Sequence, residues 1–358
     1  MTTANAPVLI MAGGTGGHIF PGIAVAKELM MRTVPVLWLG SEGGLETKLV
    51  AQAGIGLKTV AISGVRGKGF GALLAAPFKI LSAVVAAWKL LGELRPRSVL
   101  SMGGYVAGPG GIAAWLRGVP LVVHEQNSIA GVTNRVLALF AKRRLCGFDG
   151  ALKQSEWVGN PVRADIAALP APAQRFAGRQ APARLLVLGG SQGAQALNAR
   201  VPQALAMMAA DSRPQVRHQC GAKLADAARA AYTQAGVEAS VEPFIDDMAA
   251  AYAWADLVVC RSGALTVAEL AAVGVGSVLV PFPYAVDDHQ THNARNMVAA
   301  GAAVLLPESE ASAERIRAEL DRLLADRARL SDMAQSARTL AKPQATARIA
   351  DLCLQVAA

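Results

Sequence analysis

Three clusters of glycine residues stand where a phosphate group could be bound. They are Gly13-Gly14-Thr15-Gly16-Gly17, Gly103-Gly104-Tyr105 and Gly189-Gly190-Ser191-Gln192-Gly193, and each follows a short apolar segment. Glycine lets the backbone turn sharply and approach a ligand, and the amides and dipole of a following helix favour an anion. Glycines at such turns can also serve packing alone, but three similar clusters favour a diphosphate ligand.

Two common classes of diphosphate-binding protein do not fit this spacing. From Gly14, the dinucleotide pattern G-x-G-x-x-G requires a third glycine where Ile19 stands. The loop at 189–194 also lacks the G-x-G-x-x-G pattern. Glu42 stands where a nicotinamide dinucleotide enzyme carries a ribose-binding acid, but it does not restore the glycine pattern. The pattern G-x-x-x-x-G-K-[ST] is absent, which excludes a P-loop NTPase.

Histidines and a carboxylate lie beside these loops. A neutral His18 could take a proton from a hydroxyl as a general base, or it could only cap a helix that begins near Pro21. The run His124-Glu125-Gln126-Asn127 ends a predicted strand, where open α/β sheets place ligand contacts, or it is only a hydrogen-bonded loop. His289 and His292 have no third histidine nearby, so no metal site is predicted.

The scaffold for these residues is predicted to be two doubly wound α/β domains, because short apolar segments alternate with helical stretches in each half of the chain. The turn at 159–163 and the proline-rich segment 169–183 divide the chain into domains 1–162 and 163–342. A final helix within 343–358 could pack on either domain and is assigned to the first. The predicted strands are Pro7–Ala12, Val34–Gly40, Lys58–Ser63, Ser98–Met102, Val119–His124, Arg184–Gly189, Gln215–Cys220, Leu257–Arg261, Ser277–Phe282 and Ala302–Leu306.

Composition narrows the class of protein. Hydrophobic residues make up 53% of the 358 residues and charged residues 17%, which excludes a disordered chain. Four well-separated cysteines and a start without a basic, apolar signal segment favour a reducing cytosol. Residues 1–162 hold 16 Lys+Arg against 7 Asp+Glu, whereas residues 163–358 hold 19 of each. The basic first half favours an anionic ligand or surface; aromatics are only 5%, so nucleic acid is not expected.

The stretch Phe70 to Gly92 resembles a membrane span, but Pro77 and Lys79 interrupt it and its longest apolar run is much shorter than the roughly 20 residues that a span needs. It is predicted to lie in the membrane interface, with a buried crossover helix as the alternative. The proposed membrane patch comprises Phe78, Lys79, Leu81, Trp88 and Lys89.

Seven ordered motifs carry a family resemblance. They are GGTGGHIFPG at 13–22, SMGGYVAGP at 101–109, HEQN at 124–127, GNPVR at 159–163, GGSQGA at 189–194, RSGALTVAE at 261–269 and PFPYAVDDHQTHNA at 281–294. Together they span nearly the whole chain and resemble the MurG family of glycosyltransferases. The resemblance implies the GT-B fold, two Rossmann-like domains with a deep cleft between them.

The resemblance also implies which residues bind the substrates. In the second domain, the backbone of Ile245 would read uracil, Glu269 the ribose, and Gln290 the sugar. Asn127 and the turn Thr15-Gly16-Gly17 would contact the donor from the first domain, while Gly13, Gly14, Gly103, Gly104 and Tyr105 would meet the acceptor's pyrophosphate. The donor's diphosphate region would be held by Arg163, Ser191 and the helix that carries Ala264, Leu265, Thr266, Val267, Ala268 and Glu269. His289 stands where some members of the family carry a glutamine.

The implied reaction is a single inverting displacement without a metal or other cofactor. The family transfers N-acetylglucosamine from UDP-GlcNAc to the N-acetylmuramyl unit of lipid I, giving lipid II for peptidoglycan synthesis. His18 is the first candidate for the base and Glu125 its rival. The expected location is peripheral, on the cytoplasmic face of the bacterial inner membrane. The implied partners are UDP-GlcNAc, lipid I, anionic inner-leaflet lipids and other cell-wall synthesis proteins.

Three other functions remain open from the sequence: another GT-B transferase, a UDP-sugar 2-epimerase and a non-catalytic nucleotide-sugar sensor. A UDP-sugar 2-epimerase would share the fold and the donor, but it would need neither a membrane patch nor a loop for a lipid-linked pyrophosphate. A non-catalytic nucleotide-sugar sensor would bind the donor without turnover.

Overall fold

The computed structural model describes residues 5–62, 70–190 and 192–357. The chain divides into two compact units, one comprising Met1–Val162 with Lys342–Ala358 and the other Arg163–Ala341. Each unit has a parallel sheet with helices packed on it, and this confirms the predicted α/β class with two Rossmann-like domains.

The first unit has a seven-stranded sheet in the order β3-β2-β1-β4-β5-β6-β7, and all of its pairings are parallel. Its strands are β1 (Val8–Ala12), β2 (Val36–Ser41), β3 (Gly56–Val60), β4 (Ser98–Gly103), β5 (Leu121–Glu125), β6 (Arg143–Cys146) and β7 (Glu156–Trp157). Its helices are α1 (Gly16–Met31), α2 (Glu46–Gln52), α3 (Phe70–Leu94), α4 (Ala107–Leu116), α5 (Val132–Leu137) and, at the end of the chain, α15 (Ala345–Gln355). Val8 and Ile10 of β1 enter one core and Leu9 and Met11 the other, because side chains alternate along a strand.

The last helix belongs to the first unit. Helix α15 packs on α1, and its Ile349, Leu352 and Cys353 are buried in the same core as β1. The Ser98 hydroxyl at the start of β4 donates to the Cys353 carbonyl at 2.7 Å. The chain therefore returns to its first sheet after completing the second.

The second unit has a six-stranded parallel sheet in the order β10-β9-β8-β11-β12-β13. Its strands are β8 (Arg184–Leu188), β9 (Gln215–Gln219), β10 (Ser240–Glu242), β11 (Leu257–Cys260), β12 (Gly276–Leu279) and β13 (Ala303–Leu305). Its helices are α6 (Ala164–Ala167), α7 (Pro172–Phe176), α8 (Gln195–Ala206), α9 (Ala225–Ala235), α10 (Met248–Trp254), α11 (Ala264–Val273), α12 (His289–Ala299), α13 (Ala313–Leu324) and α14 (Arg327–Thr339), with short 3₁₀ helices at Ala210–Ser212, Ala222–Leu224 and Val286–Asp288.

All ten predicted strands are confirmed within about two residues at most ends, except that the last residue of the segment 58–63 lies outside the described residues. Sequence reasoning missed β6, β7 and β10. Each has only two to four residues and carries charged side chains, so none shows the apolar run used to predict the others.

Strand order reverses between β1 and β4 in the first unit and between β8 and β11 in the second. Doubly wound sheets bind ligands beyond the carboxyl ends of their strands at such a switch point. All three glycine clusters and the motif at 261–269 lie at or directly after the carboxyl ends of these four strands. The fold thus places the predicted binding loops at the two expected edges.

Candidate active site

His18 lies in the first turn of α1. The helix begins at Gly16, not near Pro21 as one reading of the sequence expected, and Thr15 is its N-cap residue. Pro21 lies inside the helix, where it gives up one backbone hydrogen bond. His18 Nδ1 lies 3.4 Å from Thr15 Oγ1. His18 is therefore a residue of the helix, and Gly16 and Gly17, predicted to contact the donor, form the first turn with it.

The first two glycine loops pack directly on each other. Gly104 has φ +91°, and a Cβ atom there would lie 2.2 Å from the carbonyl oxygen of Gly13, so only glycine fits. A Cβ atom on Gly103 would lie 3.2 Å from Cδ2 of His18. The exposed Tyr105 ring lies over Gly14. The structure thus brings His18 and all five residues predicted to meet the acceptor into one site.

Glu125 is buried at the end of β5, and its two carboxylate oxygens hold the following loop. Oε1 accepts from the backbone and side-chain amides of Asn127, at 2.9 and 3.3 Å. Oε2 accepts from the backbone of Gly131 at 3.1 Å and from Nδ2 of Asn134 at 2.9 Å. These bonds favour a positioning role for Glu125 and leave His18 as the preferred candidate for the base.

Sequence reasoning missed Asn134 on α5. Its Nδ2 also donates to the carbonyl of His124, and its Oδ1 accepts from the Ser101 hydroxyl of β4. A Cβ atom on Gly103 would lie 3.3 Å from this amide. Asn134 therefore joins the ends of β4 and β5 at the loop that touches His18. A lone asparagine outside every glycine motif gives no signal of this role in the sequence.

Buried histidines predict how stability depends on pH. His124 Nδ1 lies 3.0 Å from Gln126 Nε2, which donates to it, and His124 Nε2 donates to the Gly159 carbonyl at 2.9 Å. Burial lowers the pKa of His124 from 6.5 to about 4 and that of His218 on β9 to about 3. Both rings are therefore neutral in the folded protein at pH 5, whereas they are protonated in the unfolded chain.

Because only the unfolded chain binds these protons, we expect the free energy of unfolding to fall as the pH falls from 6.5 towards 4. The loss is about 1.4 kcal/mol per pH unit for each histidine. Urea unfolding at several pH values would measure the slope, and ¹⁵N NMR would follow each imidazole. A His124 or His218 ring that titrates near pH 6.5 in the folded protein would contradict this expectation.

In the second unit, the predicted diphosphate-binding helix is α11. Its N-cap residue, Gly263, has no side chain that could compete with an anion for the first-turn amides of Ala264, Leu265 and Thr266. The first intrahelical bond runs from Val267 N to the Gly263 carbonyl at 3.0 Å. The helix dipole adds partial positive charge at this end. Predicted contacts Val267 and Ala268 lie within the helix, between this end and Glu269.

Glu269, predicted to bind ribose, lies on α11 between two polar partners. Tyr252 of α10 donates its hydroxyl to Oε2 at 3.0 Å, and the Arg163 guanidinium lies 3.4 Å from Oε1. Burial raises the pKa of Glu269, and the charge of Arg163 and the bond from Tyr252 oppose part of that rise. The structure thus brings Arg163 and Glu269 together. Sequence reasoning did not identify Tyr252 as a partner of Glu269, because it is a buried aromatic residue within the largely apolar helix α10.

Gln290, predicted to bind the sugar, lies in the first turn of α12. Its Oε1 accepts from the backbone of Phe282 at 2.9 Å, so the donors of its amide are the part that could meet a sugar hydroxyl. Asp287 and Asp288 precede it with φ of 54° and 50°. Left-handed backbone at residues other than glycine costs about 1–3 kcal/mol each and is concentrated at functional sites.

Ile245 and Ser191 are two further residues predicted to contact the donor. Ile245 is buried just beyond β10, in the loop that would read the base. Ser191 lies outside the described residues, so its predicted contact with the diphosphate stays a prediction.

Helix α3 has both a buried and an exposed apolar face. Val84, Ala87 and Leu91 pack into the core, as the crossover-helix alternative expected. The exposed side is the predicted membrane patch and continues onto neighbouring helices: α3 packs on α4, α4 on α5, and the Trp115 and Phe140 rings lie 4.6 Å apart. This apolar surface comprises Phe78, Leu81, Val85, Trp88, Trp115, Leu116, Val132, Val136, Leu139 and Phe140, all of which are exposed.

Basic side chains accompany the apolar surface. Lys79 and Lys89 are exposed on α3, and the Arg117 guanidinium lies 3.8 Å above the Trp88 ring.

Among the described residues, no helix combines the length and hydropathy needed to cross a bilayer. Within the same residues, no group of three or more His, Cys, Asp or Glu side chains is placed to hold a metal ion.

Two family models match the chain. Residues 8–145 match the glycosyltransferase family 28 N-terminal domain, and residues 184–349 match the glycosyltransferase family 28 C-terminal domain. The first match lies within the unit that carries His18. The second covers most of the unit that carries Glu269 and extends over residues 342–349, which include the start of α15.

Curated relatives share most of the sequence. A protein of Xanthomonas campestris pv. campestris (strain 8004) is 62% identical over 98% of this chain and 82% of its own length. One of Alkalilimnicola ehrlichii is 57% identical over 98% of this chain and 99% of its own length. Both are named UDP-N-acetylglucosamine--N-acetylmuramyl-(pentapeptide) pyrophosphoryl-undecaprenol N-acetylglucosamine transferase.

A solved structure agrees with these relatives. The crystal structure of Acinetobacter baumannii MurG is 41% identical and superposes with a TM-score of 0.86, covering 98% of this chain and 99% of the other. Sequence and fold therefore point to the same enzymes over almost the full length of the chain.

Proposed function

Because this chain belongs to glycosyltransferase family 28, within its MurG group, we propose that it transfers N-acetylglucosamine from UDP-GlcNAc to lipid I and so forms lipid II. The observation that carries the proposal is identity of 57–62% over 98% of the chain with proteins whose names specify this transfer. The chain is thus a UDP-GlcNAc-dependent glycosyltransferase of peptidoglycan synthesis.

In the proposed reaction, the second unit holds the donor. Glu269 accepts hydrogen bonds from the ribose hydroxyls, and the backbone of Ile245 reads the uracil. The amides at the start of α11, with Arg163 and Ser191, bind the diphosphate, and Gln290 bonds to the sugar. The leaving UDP gains negative charge as the glycosidic bond breaks, and preorganised amides at a helix end stabilise charge that develops there.

The first unit supplies the acceptor side of the reaction. The C4 hydroxyl of the N-acetylmuramyl unit attacks the anomeric carbon of GlcNAc, forming the new β-1,4 C–O bond as the bond to the UDP oxygen breaks. His18 takes the hydroxyl proton. Thr15, Gly16, Gly17 and Asn127 contact the donor sugar, while the loops of Gly13-Gly14 and Gly103-Gly104-Tyr105 bind the lipid-linked pyrophosphate. Glu125 supports this site by holding Asn127 and Asn134.

Conversion of UDP-GlcNAc to its 2-epimer is the alternative that the same donor site would allow. We expect no epimer when the purified chain is incubated with UDP-GlcNAc alone and the sugar nucleotides are followed by ¹H NMR. Accumulation of UDP-N-acetylmannosamine without any acceptor would overturn the proposed transfer. The comparisons favour the transfer, because every curated relative reported above is named for it.

The lipid-linked acceptor requires contact with a membrane, and the apolar surface supports this part of the proposal. Its side chains would enter the interface of anionic lipids, with Lys79 and Lys89 near the headgroups. We propose a peripheral location on the cytoplasmic face of the inner membrane, where other cell-wall synthesis proteins would be its neighbours.

Combined replacement of Trp88 and Lys79 by alanine is expected to weaken binding to anionic vesicles by roughly seventyfold or more. Burial of a large apolar side chain contributes about 1.5–3 kcal/mol and each basic residue near the surface about 1 kcal/mol. Flotation with phosphatidylglycerol-containing liposomes measures the loss. The matched control is Met31→Ala with Lys27→Ala, both exposed on α1, which should bind as before. Equal binding by wild type and the Trp88/Lys79 variant would contradict the assignment.

A further inference from the structure

Glu46, at the start of α2, is a fully buried carboxylate beneath the first glycine loop. Its Oε1 accepts from the backbone and hydroxyl of Ser41 at 2.8 and 2.5 Å. Its Oε2 accepts from the backbone of Gly14 at 3.3 Å. Glu46 therefore connects the end of β2 to the loop that follows β1.

The loop is shaped around this carboxylate. A Cβ atom on Gly13 would lie 2.6 Å from Glu46 Oε1, so a side chain at Gly13 would displace it. Burial opposes ionisation of Glu46, but the hydrogen bonds from Ser41, from the backbone of Glu46 itself and from Gly14 together outweigh it and lower the pKa. The Gly14 amide is thus committed to an internal carboxylate, which makes Glu46 a support for the loop.

Gln219, at the end of β9, does the same for the third glycine cluster. Its Oε1 accepts from the backbone of Gly190 at 2.9 Å, and its Nε2 donates to the Gly190 carbonyl at 3.0 Å. Nε2 also donates to the carbonyl of Pro243, at 3.2 Å, two residues before Ile245. One amide therefore fixes both backbone groups of Gly190 and the start of the loop that would read the base.

The two units thus share one arrangement but use different side chains, a carboxylate in the first unit and an amide in the second. In each, a buried side chain at or just beyond the second strand of the sheet holds the glycine loop that follows the first strand. We propose that Glu46 and Gln219 are positioning residues that set these loops separately, Glu46 for the lipid-linked acceptor and Gln219 for UDP-GlcNAc. The inference rests on the proposed function, which assigns Gly13-Gly14, the part of the first loop that contacts Glu46, to the acceptor and the loop of Gly190 to the donor.

Substitutions of equal size separate the two roles. In Glu46→Gln, one acceptor oxygen becomes an NH₂ group; if the remaining oxygen keeps the two donors of Ser41, the NH₂ faces the Gly14 amide. In Gln219→Glu, the donor becomes an oxygen that faces the carbonyls of Gly190 and Pro243. Each change leaves a buried polar group of one loop without its partner, and a buried polar group without a partner destabilises the loop conformation that holds it.

The experiment measures KM for each substrate with the other saturating, using a soluble lipid I analogue, and adds calorimetric titration with UDP. We expect Glu46→Gln to raise the acceptor KM about tenfold or more and to leave the donor KM and UDP affinity within about twofold. Gln219→Glu should do the reverse. Exposed Asp149→Asn and Gln203→Glu make the same charge changes in the same units and should alter neither constant.

Equal shifts of both KM values in each variant, or no shift in either, would overturn the proposal, because a purely structural role has no substrate preference. If Glu46→Gln does not fold, Ser41→Ala removes one bond to Glu46 and should give a smaller shift in the same direction; Gln219→Met serves likewise for Gln219. A wild-type chain that transfers no sugar would overturn the proposed function and the Glu46 role together. UDP titration would still decide the Gln219 role.

Discussion

Replacement of His18 by alanine is expected to lower kcat by about two to four orders of magnitude, the usual contribution of a general base. His18 is the titratable side chain that lies against Gly103, in the loop assigned to the acceptor. Donor affinity should stay unchanged, because Glu269, Arg163 and α11 belong to the other unit. The measurement is kcat under saturating substrates together with UDP titration.

Two variants make the result for His18 specific. His292→Gln changes a histidine on α12 to which no role is assigned, and it should keep the wild-type kcat. Glu125→Gln should reduce activity by disturbing the loop, since both Glu125 oxygens accept hydrogen bonds from it. An unchanged kcat in His18→Ala, with a large loss in Glu125→Gln, would transfer the role of base to Glu125.

Replacement of Glu269 by glutamine is expected to raise the donor KM by about tenfold to a hundredfold. The carboxylate can accept from two ribose hydroxyls, whereas an amide has a single acceptor oxygen, and a lost hydrogen bond to a charged group costs about 1.5–3 kcal/mol. The amide would also turn an NH₂ group towards Arg163 or Tyr252, both now partners of the carboxylate.

Discrimination between UDP and 2′-deoxy-UDP isolates the ribose contact from any effect on Arg163. Wild type should prefer UDP, and Glu269→Gln should lose most of this preference. Exposed Glu310→Gln, in the same unit, serves as the control and should bind both nucleotides like wild type. A Glu269→Gln variant with the wild-type donor KM and the wild-type preference would refute the ribose contact.

The sequence predicted the parts of the fold that produce a local pattern. Strands such as β1 and β11 are buried on both faces and therefore read as continuous apolar runs. The turns that follow β1, β4 and β8 require glycine at positive φ, and they were visible in the sequence as clusters of glycine residues. The short polar strands β6 and β10 have neither signal, because their pairing depends on the neighbouring strand and not on their own residues.

The residues of the candidate site likewise fall into two groups, those that lie in a local sequence motif and those that do not. Residues within glycine motifs, such as His18, could be selected by position, and the family resemblance added Glu269. Asn134, Glu46 and Gln219 act through hydrogen bonds between segments far apart in the chain, for example from Gln219 to Gly190 and Pro243. An isolated polar residue carries no sign of such partners. Only the folded backbone brings them together.

Transfer of labelled GlcNAc from UDP-GlcNAc to a soluble lipid I analogue by the purified chain tests the central claim most directly. The account predicts a β-1,4-linked disaccharide product, formed at the same rate with and without EDTA. It also predicts that the product forms at least about a hundredfold more slowly in His18→Ala. No transfer by folded wild-type protein that binds UDP would contradict the proposed function, and product that forms only without EDTA would contradict the metal-independent mechanism.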